Sequence, residues 1–150
     1  MAVLVTGGAG FIGSNFVRML RRTRPDEMVV VLDLLTYAGS ETTLAALEDD
    51  PQLHFVRGDV ADAQLVESLL TAHDIGRVVH FAAESHVDRS ITEPAVFIRT
   101  NVLGTQVVLD ACRKQSVERL VVVSTDEVYG SLGTDDPPFT EGSPVCPRSP

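Results

Sequence analysis

Thr125-Asp126-Glu127 places one hydroxyl beside two carboxyls at consecutive positions. Neighbouring carboxyls can divide the work of acid and base when their surroundings separate their pKa values. A Ser-Thr-Asp cluster also suits a turn at a strand end, where its oxygens cap backbone N–H groups. Taken alone, the three residues allow both readings. A second group is Thr6-Gly7-Gly8-Ala9-Gly10-Phe11-Ile12-Gly13, in which Gly7, Gly10 and Gly13 form a GxxGxxG pattern. This spacing is one variant of the GxGxxG dinucleotide fingerprint. The first glycine permits a tight turn out of a strand, the second lets backbone approach a pyrophosphate, and the third lets a helix pack on a sheet. The helix N-terminus then offers free N–H groups and a positive dipole end to phosphates. On its own the triplet is equally compatible with a β–α turn that holds nothing.

Two aspartates add to the glycine loop. Asp33 stands 20 residues beyond Gly13, at the end of a β-branched run. A carboxylate there accepts hydrogen bonds from ribose hydroxyls and repels a 2′-phosphate, which favours NAD over NADP. Asp59, in Gly58-Asp59-Val60, follows another such run. It can reach an adenine, or serve as an N-cap or turn aspartate.

The elements that must position these groups alternate along the chain. Strands are predicted over Ala2–Thr6, Met28–Asp33, Leu53–Arg57, Arg77–Ala82 and Arg119–Ser124. Helical spacing falls over Phe11–Arg22, Thr42–Glu48, Ala63–Ala72 and Ala95–Lys114. Val/Ile/Leu strands separated by helices indicate a parallel sheet covered on both faces. Right-handed crossovers make this a doubly wound α/β domain of the Rossmann type. Gly130–Pro150 holds five of the eight prolines and no amphipathic period, so it reads as a loop, with an ending that suggests an interrupted chain.

Composition excludes several classes. The 150 residues suit one domain of ordinary globular composition, with 44% apolar and 22% charged residues. A net charge of −9 disfavours nucleic-acid binding. No apolar run is long enough to span a bilayer, and Met-Ala-Val-Leu-Val-Thr-Gly does not read as a secretory signal. Cys112 and Cys146 lack metal spacing and read as ordinary thiols of a cytoplasmic protein. No metal site is expected. His80 reads as a packed or hydrogen-bonded strand residue, His86 as a loop-ordering one, and Asp49-Asp50 as solvated loop.

Two longer stretches are more specific: Phe81-Ala82-Ala83-Glu84-Ser85-His86-Val87-Asp88-Arg89-Ser90 and Ser124-Thr125-Asp126-Glu127-Val128-Tyr129-Gly130. With the opening Val-Thr-Gly-Gly-Ala-Gly-Phe-Ile-Gly-Ser-Asn, the run Leu35–Gly39 and the pair Thr100-Asn101, they carry a resemblance across essentially the whole chain. The sequence resembles the extended short-chain dehydrogenases/reductases that act on nucleotide sugars, and among these the dTDP-glucose 4,6-dehydratase family. Leu34 stands where that family often has Lys, and Ser40 where Asn is common. The family's Tyr-x-x-x-Lys pair is absent, because neither Tyr37 nor Tyr129 is followed by Lys four residues on. The resemblance therefore implies roughly the first half of an enzyme, with its C-terminal substrate part missing and the chain alone inactive.

The resemblance implies NAD as cofactor, dTDP-glucose as substrate, and a homodimer formed through helices like Ala95–Lys114. It implies that Glu127 is the base, Asp126 the acid, and Thr125 the partner of the sugar O4, while Ser85 touches sugar or phosphate. It also implies that Phe11, Ile12, Asp33, Leu34, Leu35, Thr36, Asp59, Val60, Phe81, Ala82, Ala83, Glu84, Ser85 and Thr100 line the NAD site with the glycines. Alternatives are a nucleotide-sugar 4-epimerase, a UDP-glucuronate decarboxylase, a GDP-mannose dehydratase, or a non-catalytic NAD-binding module. An epimerase needs no elimination acid–base pair, so Asp126-Glu127 speaks against it.

Overall fold

The computed structural model describes residues 1–148. Its strands are β1 (Ala2–Thr6), β2 (Val29–Asp33), β3 (Leu53–Arg57), β4 (Ile75–His80) and β5 (Arg119–Val122). They form one sheet in the order β3-β2-β1-β4-β5. Every pairing is parallel, with Thr6 opposite His80 and Asp33 opposite Arg57. The chain winds outward from β1 to β3 and then restarts at β4 on the other side of β1. That reversal opens a crevice at the carboxyl ends of β1 and β4, where doubly wound folds hold ligands.

Alternation within the strands divides the core into two layers. Leu4, Val30, Leu32 and Val78 face helix α2 (Ala63–Ala72) through Val66, Leu69 and Leu70, and helix α5 (Thr105–Lys114) through Val108, Ala111 and Cys112. Val3, Val5, Val29 and Val31 face the opposite way, against Val17 and Leu20 of helix α1 (Phe11–Thr23) and against Leu44. Both faces of the central strands are thus covered, which is why they read as continuous apolar runs. Asp62 caps α2 by accepting from the Leu65 N–H. Arg21 and Arg22 occupy the last turn of α1, at its negative dipole end.

Several boundaries depart from the sequence reading. β4 starts at Ile75 and ends at His80, earlier than Arg77–Ala82, although the Phe81 N–H still donates to Thr6 O at 3.0 Å. Residues 82–86 then leave the ladder, and Ala82 to Ser85 form the crevice wall. The segment read as a helix over Thr42–Glu48 is a 3-10 helix over Glu41–Leu47, capped by Ser40. The stretch Val87–Thr92 forms a short helix, α3, which its single turn and a half of sequence did not signal. The helix expected over Ala95–Lys114 is one rod in three parts: α4 (Pro94–Phe97), a π-helical segment (Ile98–Gly104) and α5. Asp126–Tyr129 makes a 3-10 turn.

Residues 130–148 contain no helix or strand, as the proline-rich composition predicts. They are tied back by the Cys146 N–H, which donates to Val128 O at 2.9 Å, and by Phe139 stacked on Tyr129 at 5.1 Å. Among the described residues no helix is long and apolar enough to cross a membrane.

Candidate functional site

The crevice begins at the turn between β1 and α1. Gly7 adopts a left-handed φ of +70°, and a Cβ there would lie 2.6 Å from Ala82 N. The turn therefore sits directly on the β4 wall, and only glycine fits. A Cβ on Gly13 would lie 2.2 Å from Gly7 O, so α1 can start hard against the turn only because Gly13 has no side chain. Gly10, the N-cap, supplies no capping side chain. Phe11, Ile12 and Gly13, the first residues of α1, border the crevice, so the positive end of the helix dipole faces it.

Asp33 ends β2 beside this turn. Its Oδ2 accepts from the Ala9 N–H at 2.9 Å and its Oδ1 from the Leu35 N–H at 2.8 Å. Leu35 takes a positive φ of 58° to turn its N–H back. The carboxylate is thereby fixed against the glycine loop, with lone pairs left for further donors. On the far wall, Asp59 Oδ1 accepts from the Ala61 N–H at 2.8 Å, and Oδ2 accepts from Arg99 Nε at 3.0 Å and Nη2 at 2.7 Å.

The crevice has two adjoining compartments. The first is bordered by Gly7, Gly10, Asp33, Leu34 and Thr36 on one side. Asp59, Val60, Phe81, Ala82, Ala83, Glu84 and Thr100 border its other side. The second shares Gly7, Gly10, Phe81, Ala83 and Glu84 with the first and adds Phe11, Ile12, Gly13, Ser85, Thr125 and Glu127. All the residues singled out in the sequence thus gather in one crevice except Leu35 and Asp126. Leu35 acts through its N–H on Asp33. Asp126 sits between two bordering residues, and its Oδ1 accepts from Thr125 Oγ1 at 3.2 Å.

Thr125 also accepts from the Glu127 N–H at 3.2 Å, capping the turn that follows. Capping and a place in the crevice are therefore compatible: the cap shapes the turn, and the turn brings Glu127 to the second compartment. All three residues are exposed.

Three flanking side chains escaped the sequence reading as site groups. Arg99 pairs with Asp59. Asn101 brackets Glu84, its Oδ1 accepting from the Glu84 N–H at 2.8 Å and its Nδ2 donating to Glu84 O at 2.9 Å. Both come from the π-helical segment, whose wider turn has no sequence signature. Arg89 places Nη1 3.8 Å from Glu84 Oε2, a buried oxygen without a hydrogen-bond partner among the described residues. Below the site, burial lowers the His80 pKa to about 4 and raises that of Cys112 to about 11, so both are neutral near pH 7. Asp50, read as solvated, instead pairs with Arg21 at 2.9 Å. Among the described residues no group of three or more His, Cys, Asp or Glu is placed to hold a metal ion.

The family model described as GDP-mannose 4,6 dehydratase matches residues 4–150. The chain belongs to that family. Among its relatives, the dTDP-glucose 4,6-dehydratase of Streptomyces antibioticus is 57% identical over 155 residues, covering 100% of this chain and 44% of the relative. The dTDP-glucose 4,6-dehydratase of Streptomyces venezuelae, solved with NAD bound, superposes with a TM-score of 0.91 at 53% identity, covering 99% of this chain and 46% of the other. A UDP-glucose-4-epimerase of Stenotrophomonas maltophila, also solved with NAD, gives 0.87 at 31% identity, covering 99% and 44%. The chain thus spans less than half the length of these members of the dehydratase family and its structural neighbours.

Proposed function

We propose that this chain is the NAD-binding part of a dTDP-glucose 4,6-dehydratase. The complete enzyme would convert dTDP-glucose to dTDP-4-keto-6-deoxyglucose. One observation carries the reading: a single crevice joins the Asp33-braced glycine loop to Thr125 and Glu127. The chain's 57% identity to a dTDP-glucose 4,6-dehydratase supports the substrate class.

The residues present fit NAD. Gly7 and Gly13 leave a cradle that a Cβ would disrupt, and the N-terminus of α1 faces the crevice without a capping side chain. Gly7, Gly10, Phe11, Ile12 and Gly13 would hold the pyrophosphate, and Asp33 to Thr36 the adenine ribose. Asp59 and Val60 would face the base. Phe81 to Ser85 and Thr100 would complete the wall. Bound NAD supplies a hydride acceptor for C4 of the sugar and returns the hydride to C6.

The chain's own groups would do the proton work. Glu127 takes the C5 proton, made acidic by the 4-keto group. Asp126 gives a proton to the C6 hydroxyl, which leaves as water. Thr125 donates to O4, and Ser85 holds sugar or phosphate. The Thr125 hydroxyl, which donates to Asp126 Oδ1, would turn its one proton to O4 of a bound sugar, leaving the Asp126 carboxyl free to carry the proton it gives to the C6 hydroxyl.

Residues 1–150 are assigned to one dinucleotide-binding domain. We assign the protein to the cytoplasm and expect the complete enzyme to be a homodimer. Ile98, Val102 and Leu109 are each at least half exposed along one rod, which supports pairing with a second copy there. Sedimentation of the complete protein at twice the monomer mass checks this, and a monomer refutes it.

The deciding experiment supplies the complete protein with dTDP-glucose deuterated at C4. Deuterium found by NMR at C6 of a 4-keto-6-deoxy product is the expected result. Label retained at C4 in unchanged substrate refutes the substrate and the roles of Asp126 and Glu127.

A further inference from the structure

We propose that Tyr37 and Arg89 form a latch across the crevice that slows the escape of a bound dinucleotide. The inference rests on the dinucleotide reading above and goes beyond it, since neither side chain borders the crevice. Their neighbours do. Thr36 and Ala38 border it from the loop after β2, while Ser85, Val87 and Ser90 border it from the segment after β4. Tyr37 and Arg89 project from these same two walls and meet outside the lining. The Arg89 guanidinium carbon lies 4.6 Å from the Tyr37 ring centroid. The His86 ring meets the same tyrosine edge-on at 6.3 Å. A cation held over an aromatic face within this range is attractive. Here it joins the two halves of the doubly wound fold across their switch point.

Arg89 is held ready for this contact. Glu93 accepts from its Nη2 at 3.0 Å. Glu84 Oε2 lies 3.8 Å from Nη1, is buried, and has no hydrogen-bond donor among the described residues. A buried carboxylate oxygen without a donor is costly, and the charge of Arg89 offsets that cost. Asn101 fixes the Glu84 backbone through its N–H and carbonyl, and the Glu84 side chain is 4% exposed, which confines its carboxyl beside Arg89. Glu84 is therefore a positioning residue for Arg89. On the opposite wall, the loop is anchored beyond Tyr37 by the Ser40 N–H and the Thr43 hydroxyl, both donating to Ala9 O at 3.3 and 3.0 Å. Tyr37 itself is 53% exposed, so its order comes from Arg89 and His86. The anchored ends and free middle make this segment able to open without disturbing the glycine loop.

The test follows release of NADH from the complete protein by its fluorescence after mixing with excess NAD. Tyr37→Ala and Arg89→Ala are each expected to speed release by about two- to fivefold, the scale of one exposed cation–π contact. The double variant is expected to release no faster than either single variant, because both remove one shared contact. Tyr37→Phe keeps the ring and is expected to release at the wild-type rate. Wild-type release rates in both alanine variants, or additive effects in the double variant, would overturn the latch while leaving the dinucleotide site intact. A wild-type protein that binds no NADH would overturn the dinucleotide reading and the latch with it.

Discussion

The hydroxyl of Thr6 lies 2.6 Å from Nδ1 of His80, a buried hydrogen bond between the last residues of β1 and β4. The other ring nitrogen, Nε2, lies 3.1 Å from Thr105 Oγ1 at the start of α5. A neutral imidazole meets both hydroxyls, one as donor and one as acceptor. Thr6 Oγ1 also accepts from the Ala82 N–H at 3.4 Å, so this chain of hydroxyls and imidazole supports the crevice wall from beneath.

A pH dependence follows from the His80 pKa, lowered by burial from 6.5 to about 4. The unfolded chain then binds more protons than the fold between those values, so stability rises with pH across that window. The contribution is complete above pH 6.5 and is lost as pH falls toward 4, amounting to about 3 kcal/mol. The lowered pKa of His73, caused first by burial and then by the His54 charge, acts with the same sign. Urea unfolding at pH 4.5 and 7 measures the difference. His80→Gln should lower stability at pH 7 and flatten the slope. An unchanged slope would show that His80 is not buried neutral.

Arg21 gives a second stability prediction. Its side chain is 5% exposed and binds both oxygens of Asp50, at 2.9 and 3.2 Å. It also donates to the carbonyls of Arg24, Pro25 and Glu27. Removing this guanidinium takes the side-chain donor from Pro25 O, Glu27 O and Asp50 Oδ2, while Arg24 O keeps the Glu27 N–H and Asp50 Oδ1 keeps the Gln52 N–H. Arg21→Ala is expected to cost about 3–5 kcal/mol in denaturant unfolding. Arg21→Lys should recover only part of that, because an ammonium cannot reproduce the planar fork. The Arg21 hydrogen bond, foremost, holds the Asp50 pKa below its usual 3.8. Its share of stability is therefore present above that value and lost as pH falls through the folded pKa.

Much of this architecture is legible in residue order. Val29–Leu32 and Ala2–Val5 are apolar at every position because helices cover both faces of the sheet, and that pattern needs no tertiary knowledge. Gly7 and Gly13 are legible for a steric reason that a single residue carries. The side-chain partnerships are not legible. Asp50 reads as a loop residue, and nothing in residue order joins it to Arg21, since their contact spans 29 positions. Arg99 and Asn101 look like ordinary helix-surface residues until the π-helical segment turns them toward Asp59 and Glu84. Thr125 supports both a cap and a crevice group in the sequence, and the fold gives it both places.

Asp33 joins stability to cofactor choice. Its two oxygens accept from the Ala9 and Leu35 N–H groups, tying the glycine loop to the end of β2. Asp33→Asn keeps one acceptor and replaces the other with a donor that faces an N–H. The variant should lose about 1–2 kcal/mol of stability from the broken bond. It should also bind NAD more weakly while binding NADP better, since the charge opposing a 2′-phosphate is gone. Titration of both dinucleotides against the complete protein checks the ratio. A variant that weakens both equally would limit Asp33 to holding the loop.

The acid–base assignment is tested by separating elimination from binding. Asp126 does not border the crevice, and Glu127 borders only the second compartment, away from Asp33 and Asp59. Asp126→Asn and Glu127→Gln in the complete enzyme should therefore spare NAD binding. Each should slow 4-keto-6-deoxy product formation by about 10²–10⁴, the usual contribution of a positioned acid or base. Thr125→Val removes both the cap on the Glu127 N–H, at a cost of about 1 kcal/mol, and the donor proposed for O4, while both carboxyls stay present. If Thr125→Val slows turnover as much as Glu127→Gln, the Thr125 hydroxyl is as limiting as the base. If neither carboxyl variant changes product formation, proton transfer at C5 and C6 belongs to other groups.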